Sequence, residues 1–339
     1  MREPLLKIED LTIQYTTGQR SLTAASDVSF SVNSGEYFGL VGESGCGKTT
    51  IAKAIMGGLD RNGEITEGKI KYKGDDISNF SEKKLSEEIR WSEISWIPQG
   101  SMNSLDPLQR VRDQALEIAD THTDLSDDEA LNKFREAFKV VGLPEGRIND
   151  YPHQFSGGMA QRAIIALAIF LRPSLIIADE PTTALDVIMQ DQIFKYLSNI
   201  RVEEDISMVI ITHDISVVFE ECNSIAIMHS GQLAETGKIT DVFDSPLHPY
   251  SMLLQKAFPD IRSPENELEV IPGDPPELYG KVDFCTFADR CPWAKEKCRS
   301  GAPPLRSISG DSDHNTGCIR AEEIDELISG ARHETEKKS

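Results

Sequence analysis

The sequence predicts an α/β fold in which a mixed sheet presents a phosphate-binding loop, and two observations predict it. An apolar run at residues 37–41 leads into Gly-x-x-x-x-Gly-Lys-Thr at residues 42–49 and then into a helical pattern. Strand, loop and helix in this order are typical of a P-loop. A second apolar run, residues 175–178, ends in Asp179 and Glu180. Fully apolar strands lie inside parallel sheets, whose carboxyl ends collect ligands.

The P-loop predicts a site for the phosphates of a nucleotide. Its glycines allow consecutive backbone N–H groups to point inward, and the helix that follows adds the positive end of its dipole. Lys48 is expected along the β- and γ-phosphates, and the Thr49 hydroxyl is expected to bind the bridging magnesium. The residues expected to contact nucleotide here are Gly42, Ser44, Gly45, Cys46, Gly47, Lys48, Thr49 and Thr50.

Length, net charge and the distribution of apolar residues exclude some classes of protein. The 339 residues suffice for two domains, and the formal net charge is −21. Because nucleic-acid binders need a basic face, no nucleic-acid partner is expected. Nothing at the N-terminus marks the chain for secretion, and the longest uncharged apolar run, residues 163–171, is nine residues long. A membrane span needs about 20 residues, so other chains would have to cross any membrane at which this protein acts.

The first half of the chain combines strands with an acidic helical region. Alternating apolar residues in the first 40 positions predict strands. Tyr15 ends one of them, where it could stack on a base or simply be half-buried. Residues 81–141 have helical spacing, interrupted by a short apolar strand that ends at Gln99. A lone glutamine is usually a surface amide, so Gln99 gains meaning only from the motifs that follow it.

A second helix end is suited to binding anions. Ser156, Gly157 and Gly158 precede the helix predicted over residues 163–171. The serine can cap the helix and the glycines permit close approach of a phosphate. Taken alone, Ser-Gly-Gly is a common and weak signal.

The acidic pair and a histidine complete the predicted chemistry. Asp179 is placed to hold magnesium through water, and Glu180 is placed to orient and polarise an attacking water. The buried strand predicted at residues 206–211 is followed by His213. If the two strands are parallel neighbours, the His213 ring can reach a γ-phosphate.

The tail, residues 246–339, is rich in proline and contains four of the six cysteines. Cys285, Cys291, Cys298 and Cys318 are separated by five, six and nineteen residues. In a reducing compartment such a cluster favours metal binding over disulfides. Structural zinc sites usually have ligand pairs two to four residues apart, whereas iron–sulfur clusters take four thiolates at more varied spacings. Spacing slightly favours an iron–sulfur cluster, in which His314 could replace one thiolate, and leaves zinc, two disulfides and four free thiols open.

The order of the motifs resembles the ATP-binding cassette of ABC transporters, from about residue 5 to residue 237. This resemblance implies a P-loop NTPase domain at residues 1–245, with a mixed-sheet core, an antiparallel β subdomain and a helical subdomain at about 81–165. A small, loop-rich metal-cluster domain would follow at residues 246–339. The signature motif at residues 155–159 departs from Leu-Ser-Gly-Gly-Gln at both of its ends, and Ala160 stands where arginine is common.

The resemblance also implies roles for single residues. Catalysis is assigned to Glu180, His213 and Gln99. Magnesium is assigned to Thr49, Gln99 and Asp179. Contacts with ATP outside the P-loop are assigned to Tyr15, Gln99, Asp179, Ser156, Gly157, Gly158 and the D-loop residue Asp186.

Three stretches, residues 41–49, 99–107 and 248–250, resemble the ATPase subunits of dipeptide and oligopeptide importers. That branch implies a four-iron four-sulfur cluster on Cys285, Cys291, Cys298 and Cys318, with Zn²⁺ as the alternative. It implies an ATPase on the cytoplasmic face of the membrane that powers solute import. The partners would be a second cassette, two transmembrane permease subunits and an extracytoplasmic substrate-binding protein.

Other functions stay open at this point. Related importers carry oligosaccharides or nickel chelates instead of peptides. Cassette ATPases that move no solute have two fused cassettes or a long coiled-coil insertion, and neither is present in this sequence. A redox protein with an iron–sulfur cluster gated by nucleotide is a further alternative.

Overall fold

The structure is a computed structural model. It describes residues 3–100, 104–182, 190, 192–197, 206–257, 271–301, 304–308 and 313–323. These residues form two sheets with helices around them, which confirms the predicted α/β fold. The strands are β1 Leu6–Thr17, β2 Arg20–Val32, β3 Tyr37–Val41, β4 Gly63–Tyr72, β5 Asp75–Asp76, β6 Ile94–Ile97, β7 Leu175–Asp179, β8 Ser207–Thr212, β9 Ser224–His229, β10 Gln232–Lys238, β11 Arg306–Ser307 and β12 Asn315–Thr316.

The smaller sheet is antiparallel, with strand order β2-β1-β4-β5. Strands β1 and β2 pair from Leu6 opposite Val32 to Thr17 opposite Arg20. The apolar residues of β1 alternate with more exposed ones because one face of the sheet covers a core and the other meets solvent. The alternation therefore predicted these strands correctly.

The larger sheet has the order β11-β12-β10-β9-β3-β8-β7-β6. Strands β6, β7, β8, β3 and β9 are parallel, whereas β10 and β12 run antiparallel to their neighbours. Every residue of β3, β7 and β8 is buried, as their unbroken apolar sequences predict. The P-loop thus leaves the middle of the sheet, between β8 and β9.

The helices surround the larger sheet. They are α1 Lys48–Ile55, α2 Glu82–Glu88, α3 Val111–His122, α4 Asp127–Val140, α5 Gly157–Ile169, α6 Ile215–Glu221, α7 Ile239–Asp244 and α8 Pro249–Lys256. Between α3, α4 and α5 lies an aromatic core in which the Phe134 ring is 4.8 Å from Phe138 and 5.5 Å from Phe170, between ring centroids.

Helix α5 begins six residues before its predicted start. Ser156 accepts a hydrogen bond from the backbone N–H of Met159, so it is the N-cap of the helix. Glycine is tolerated in the first turn because a cap there compensates its low helix propensity. The Ser-Gly-Gly sequence therefore lies directly at the helix N-terminus.

The tail joins the larger sheet, which the sequence did not indicate. Strand β12 pairs with β10, with Thr316 opposite Glu235. A strand of two residues has no periodicity that a pattern could detect. His314, considered above as a metal ligand, instead places its Nε2 2.6 Å from the buried Glu235 carboxylate. Among the described residues, no helix is long and apolar enough to cross a membrane.

Candidate functional site

The P-loop conformation requires its glycines. Gly45 and Gly47 have φ angles of 79° and 106°, a left-handed region that side chains disfavour. A Cβ atom on Gly47 would lie 2.2 Å from the carbonyl oxygen of Ala24, and one on Gly42 would lie 2.1 Å from that of Met228. The loop thus stays closely packed against two neighbouring backbones.

Lys48 begins α1 and is only 5% exposed. Its Nζ donates hydrogen bonds to the carbonyl oxygens of Gly42 and Glu43, both at 2.8 Å. Burial raises the pKa of the neighbouring Cys46 thiol, although Lys48 opposes that shift. The ammonium is therefore held inside the loop, where incoming phosphate oxygens can replace the two carbonyls.

Asp179 ends β7 with a buried side chain. Neither of its carboxylate oxygens has a well-formed hydrogen bond to any residue that the structure describes. Burial raises the pKa of Asp179, and the nearby Thr49 hydroxyl and Lys48 partly offset this shift. A buried carboxylate without a partner is costly. Since carboxylate and hydroxyl oxygens are what Mg²⁺ prefers, Asp179 and Thr49 fit a magnesium site.

Glu180 contacts two other predicted site residues. Gln99 Nε2 donates to its Oε2 at 2.8 Å, and His213 Nδ1 lies 3.0 Å from its Oε1. Gln99 follows β6 and His213 follows β8, the strands on either side of β7. Glu180 has φ 48°, and non-glycine residues held in this region are concentrated at functional sites. The structure thus brings Gln99, Glu180 and His213 together.

For the other predicted nucleotide contacts the structure shows only local packing or none. The Tyr15 ring packs on Gly63, where an added Cβ would come within 2.6 Å of it. Ser156 is engaged by its own helix, as described above. Asp186 lies outside the described residues.

Two residues that the sequence did not single out connect these parts. Gln161, buried on α5, donates from its Nε2 to the carbonyl oxygen of Pro181 and ties the Ser-Gly-Gly helix to the segment after Glu180. Arg290, from the tail, forms an ion pair with Glu43 of the P-loop at 2.7 Å. Contacts between residues so distant in sequence leave no local pattern.

The four tail cysteines line one small cavity, together with Pro249, Phe287, Ala288 and Trp293. The backbone N–H groups of Lys295 and Arg320 donate to the sulfurs of Cys298 and Cys318, at 3.5 and 3.4 Å. The N–H groups of Phe287 and Trp293 partly offset the effect of burial on the pKa values of Cys285 and Cys291. Four cysteine sulfurs that line one cavity are residues that could hold a metal cluster.

Burial works against thiolates at this site. It raises the pKa of Cys285 to about 12 and that of Cys291 to about 11, and it also raises the pKa of Cys318. A metal binds the thiolate and not the thiol, so a metal at this site would have to displace protons from thiols with high pKa values. Across the described residues, no three His, Cys, Asp or Glu side chains are arranged to hold a single metal ion. The described residues therefore give no direct support for a bound metal, whether Zn²⁺ or the predicted iron–sulfur cluster.

Comparisons with known proteins match both parts of the chain. The family model described as ABC transporter matches residues 25–183. The model described as oligopeptide/dipeptide transporter, C-terminal region, matches residues 234–298.

Named relatives match at nearly full length. The chain is 42% identical to the oligopeptide transport ATP-binding protein OppD of Salmonella typhimurium, over 90% of this chain and 91% of the relative. It is 37% identical to the dipeptide transport ATP-binding protein DppD of Escherichia coli, over 90% and 94% of the two chains.

A solved structure also resembles this fold. It is the dimeric ATP-binding cassette MJ0796 in a post-hydrolysis state with ADP and phosphate. The two chains share 28% sequence identity with a TM-score of 0.61, and the match covers 69% of this chain and 98% of the cassette.

Proposed function

The chain belongs to the ABC transporter family, in the branch of oligopeptide and dipeptide transport ATP-binding proteins, and we propose that it hydrolyses ATP to power peptide import. The observation that carries the proposal is the meeting of Gln99, Glu180 and His213 beside the unpartnered Asp179. A carboxylate held by two side chains next to a phosphate-binding loop is suited to activating water.

Each residue of the site has a separate role in the proposed ATP hydrolysis. Lys48 exchanges its two carbonyl partners for the β- and γ-phosphates. Asp179, Thr49 and Gln99 would hold Mg²⁺, which would neutralise charge on those phosphates. Glu180 accepts a proton from the attacking water and orients it toward the γ-phosphorus. His213 steadies Glu180 from the neighbouring strand and faces the γ-phosphate.

Each ATP site requires a second cassette. The Ser156 to Gly158 helix end is an anion site whose phosphate would come from a partner. The similarity to a dimeric cassette supports this arrangement. Tyr15 would stack on adenine, and the D-loop residue Asp186 would also contact the nucleotide. We place the ATPase domain at residues 1–245, with its helical subdomain at about 81–165, and the tail domain at residues 246–339.

The partners follow from the branch. We propose that the chain works at the cytoplasmic face of the membrane with two permease subunits and a substrate-binding protein. The relatives reported above are peptide transport proteins by name, so oligosaccharide and nickel-chelate import gain no support. The same names count against a cassette ATPase that moves no solute, and against a redox protein.

We further propose that Cys285, Cys291, Cys298 and Cys318 hold a four-iron four-sulfur cluster. The cavity that the four cysteines share supports this proposal, and a bound cluster would have to supply the free energy that deprotonates the buried thiols. Anaerobically purified full-length protein is expected to contain about four iron and four sulfide per chain. Stoichiometric zinc without iron would refute the cluster.

Substituting Glu180 tests the catalytic proposal. Glu180→Gln keeps the size of the side chain but cannot accept the proton, so ATP turnover by the assembled transporter should fall by at least a hundredfold. ATP affinity should be retained, measured by equilibrium binding. A matched control is Glu64→Gln, since Glu64 is exposed on β4 of the smaller sheet. Unchanged turnover in Glu180→Gln would remove Glu180 from this role.

A further inference from the structure

One arginine connects the cysteine-bearing tail to the P-loop. Arg290 lies in the chain between Cys285 and Cys291. Its NH1 donates to Glu43 Oε2 at 2.7 Å, and its NH2 donates to Glu43 Oε1 at 2.8 Å. Two parallel bonds from one guanidinium fix both the distance and the angle between the groups. Because Glu43 is the second residue of the P-loop, the tail directly restrains the loop.

The Arg290 guanidinium also forms hydrogen bonds with groups other than Glu43, and these fix its position. Arg290 Nε donates to the carbonyl oxygen of Pro272 at 2.9 Å, and NH1 lies 3.0 Å from His229 Nε2. Arginine can only donate, so His229 Nε2 accepts and its Nδ1 carries the hydrogen. That Nδ1 donates to Thr286 Oγ1, whose own hydroxyl donates to the His229 carbonyl. Each hydrogen bond in this series therefore has a defined donor and a defined acceptor.

Burial makes this ion pair stronger than a surface one. The Arg290 side chain is 6% exposed and that of Glu43 is 24% exposed. Charges that are partly withdrawn from water interact through a lower effective dielectric constant than exposed charges do. Removing Arg290 would leave the Glu43 carboxylate without its cationic partner.

That carboxylate stands in a loop built to bind anions. The Glu43 carbonyl oxygen accepts from Lys48 Nζ, and the Glu43 N–H donates to Tyr250 Oη at 3.2 Å. An uncompensated negative charge at this position would repel the phosphates that Lys48 is there to attract. Arg290 cancels this charge and leaves Lys48 as the dominant cation of the loop.

We propose that Arg290 is a positioning residue for ATP binding, because it neutralises Glu43 and fixes the first turn of the P-loop. The affinity of the cassette for nucleotide then depends on the docking of the cysteine-bearing tail. This inference rests on the proposed function of the P-loop and adds to it a residue outside the cassette motifs.

The test compares nucleotides of different charge on the full-length chain. Arg290→Gln should weaken ATP binding roughly tenfold, ADP binding less and AMP binding least, because repulsion by Glu43 grows with phosphate charge. In Glu43→Gln/Arg290→Gln neither charge remains, so ATP affinity should return to within about threefold of wild type. Arg290→Lys keeps the charge but cannot form the two parallel bonds, so its ATP affinity should lie between those of Arg290→Gln and wild type. Equilibrium binding with each nucleotide measures all three variants.

A matched control lies in the same tail. Arg299 pairs with the exposed Asp289 at 3.1 Å, and Arg299→Gln should bind ATP like wild type. Unchanged ATP affinity in Arg290→Gln would overturn the inference. Equal losses for ATP, ADP and AMP that Glu43→Gln does not reverse would also overturn it, because they would show a purely structural role. A wild-type chain that binds no adenine nucleotide would instead overturn the proposed function itself.

Discussion

Glu235 is one buried residue through which the cassette holds the tail, and its replacement should weaken the docking of the tail. The Glu235 side chain is fully buried on β10. Its Oε1 accepts from the Leu247 backbone N–H at 2.8 Å and lies 2.6 Å from His314 Nε2. Its Oε2 accepts from the His248 backbone N–H at 2.9 Å. One carboxylate therefore serves three donors, all of them from outside β10.

The magnitude follows from those donors. In Glu235→Ala all three lose their acceptor, and His248 and His314 are too buried for water to replace it. At about 1 to 3 kcal/mol for each of the three stranded buried donors, the free energy of unfolding should fall by about 3 to 9 kcal/mol. Glu235→Gln can keep the two bonds to one oxygen but turns its amide N–H₂ toward the His248 N–H. The expected loss for that variant is about 1 to 2 kcal/mol.

Urea unfolding of the full-length chain, followed by tryptophan fluorescence, measures both variants. Trp293 lies in the tail and Trp91 and Trp96 lie in the cassette, so loss of the tail should appear first as an early transition of Trp293 in a Trp91→Phe/Trp96→Phe background. Glu64→Ala, at an exposed position of β4, is the control and should change stability by less than about 0.5 kcal/mol. A Glu235→Ala protein within about 1 kcal/mol of wild type would refute this account of tail docking.

Two further predictions concern the P-loop and the pH dependence of stability. Gly47→Ala should abolish measurable ATP binding, since its Cβ would lie 2.2 Å from the Ala24 carbonyl oxygen, whereas Gly146→Ala, in open space, should bind ATP normally; equal binding by the two would contradict the packing argument. Burial and Arg290 lower the pKa of His229 to about 3, and His248 and Tyr250 also face this ring. Below its ordinary pKa near 6.5 the histidine takes up a proton only when the chain unfolds, so the free energy of unfolding should decrease as pH falls from 7 toward 3. At pH 5.5, proton uptake by His229 in the unfolded chain should lower the free energy of unfolding by about 1.4 kcal/mol relative to neutral pH. Denaturant midpoints measured at several pH values should therefore fall less steeply with pH in His229→Gln than in wild type. An unchanged slope would contradict the low pKa of His229.

Local sequence predicted the fold and much of the candidate site because both depend on short patterns. The P-loop follows a buried strand, and Glu180 and His213 each follow another, so their proximity came from parallel strands ending at one edge. The register of the sheet then placed Gln99 beside them. Arg290 and Glu43 are 247 positions apart, and nothing in either segment predicts the contact. The same holds for Gln161, whose partner is a backbone carbonyl that any residue could supply.

The pairing of β12 with β10 has a consequence for biosynthesis. Strand β10 ends at Lys238 and β12 begins at Asn315, 77 positions later in the chain. Until Asn315 and Thr316 have been synthesised, β10 remains an open sheet edge, a template for pairing with other chains. At about 5 to 20 residues per second, the nascent cassette carries this edge for roughly 4 to 15 seconds. The strand that covers the edge of β10 is therefore synthesised near the end of the chain. A chain terminated before β12 would leave this edge open and would be prone to aggregation.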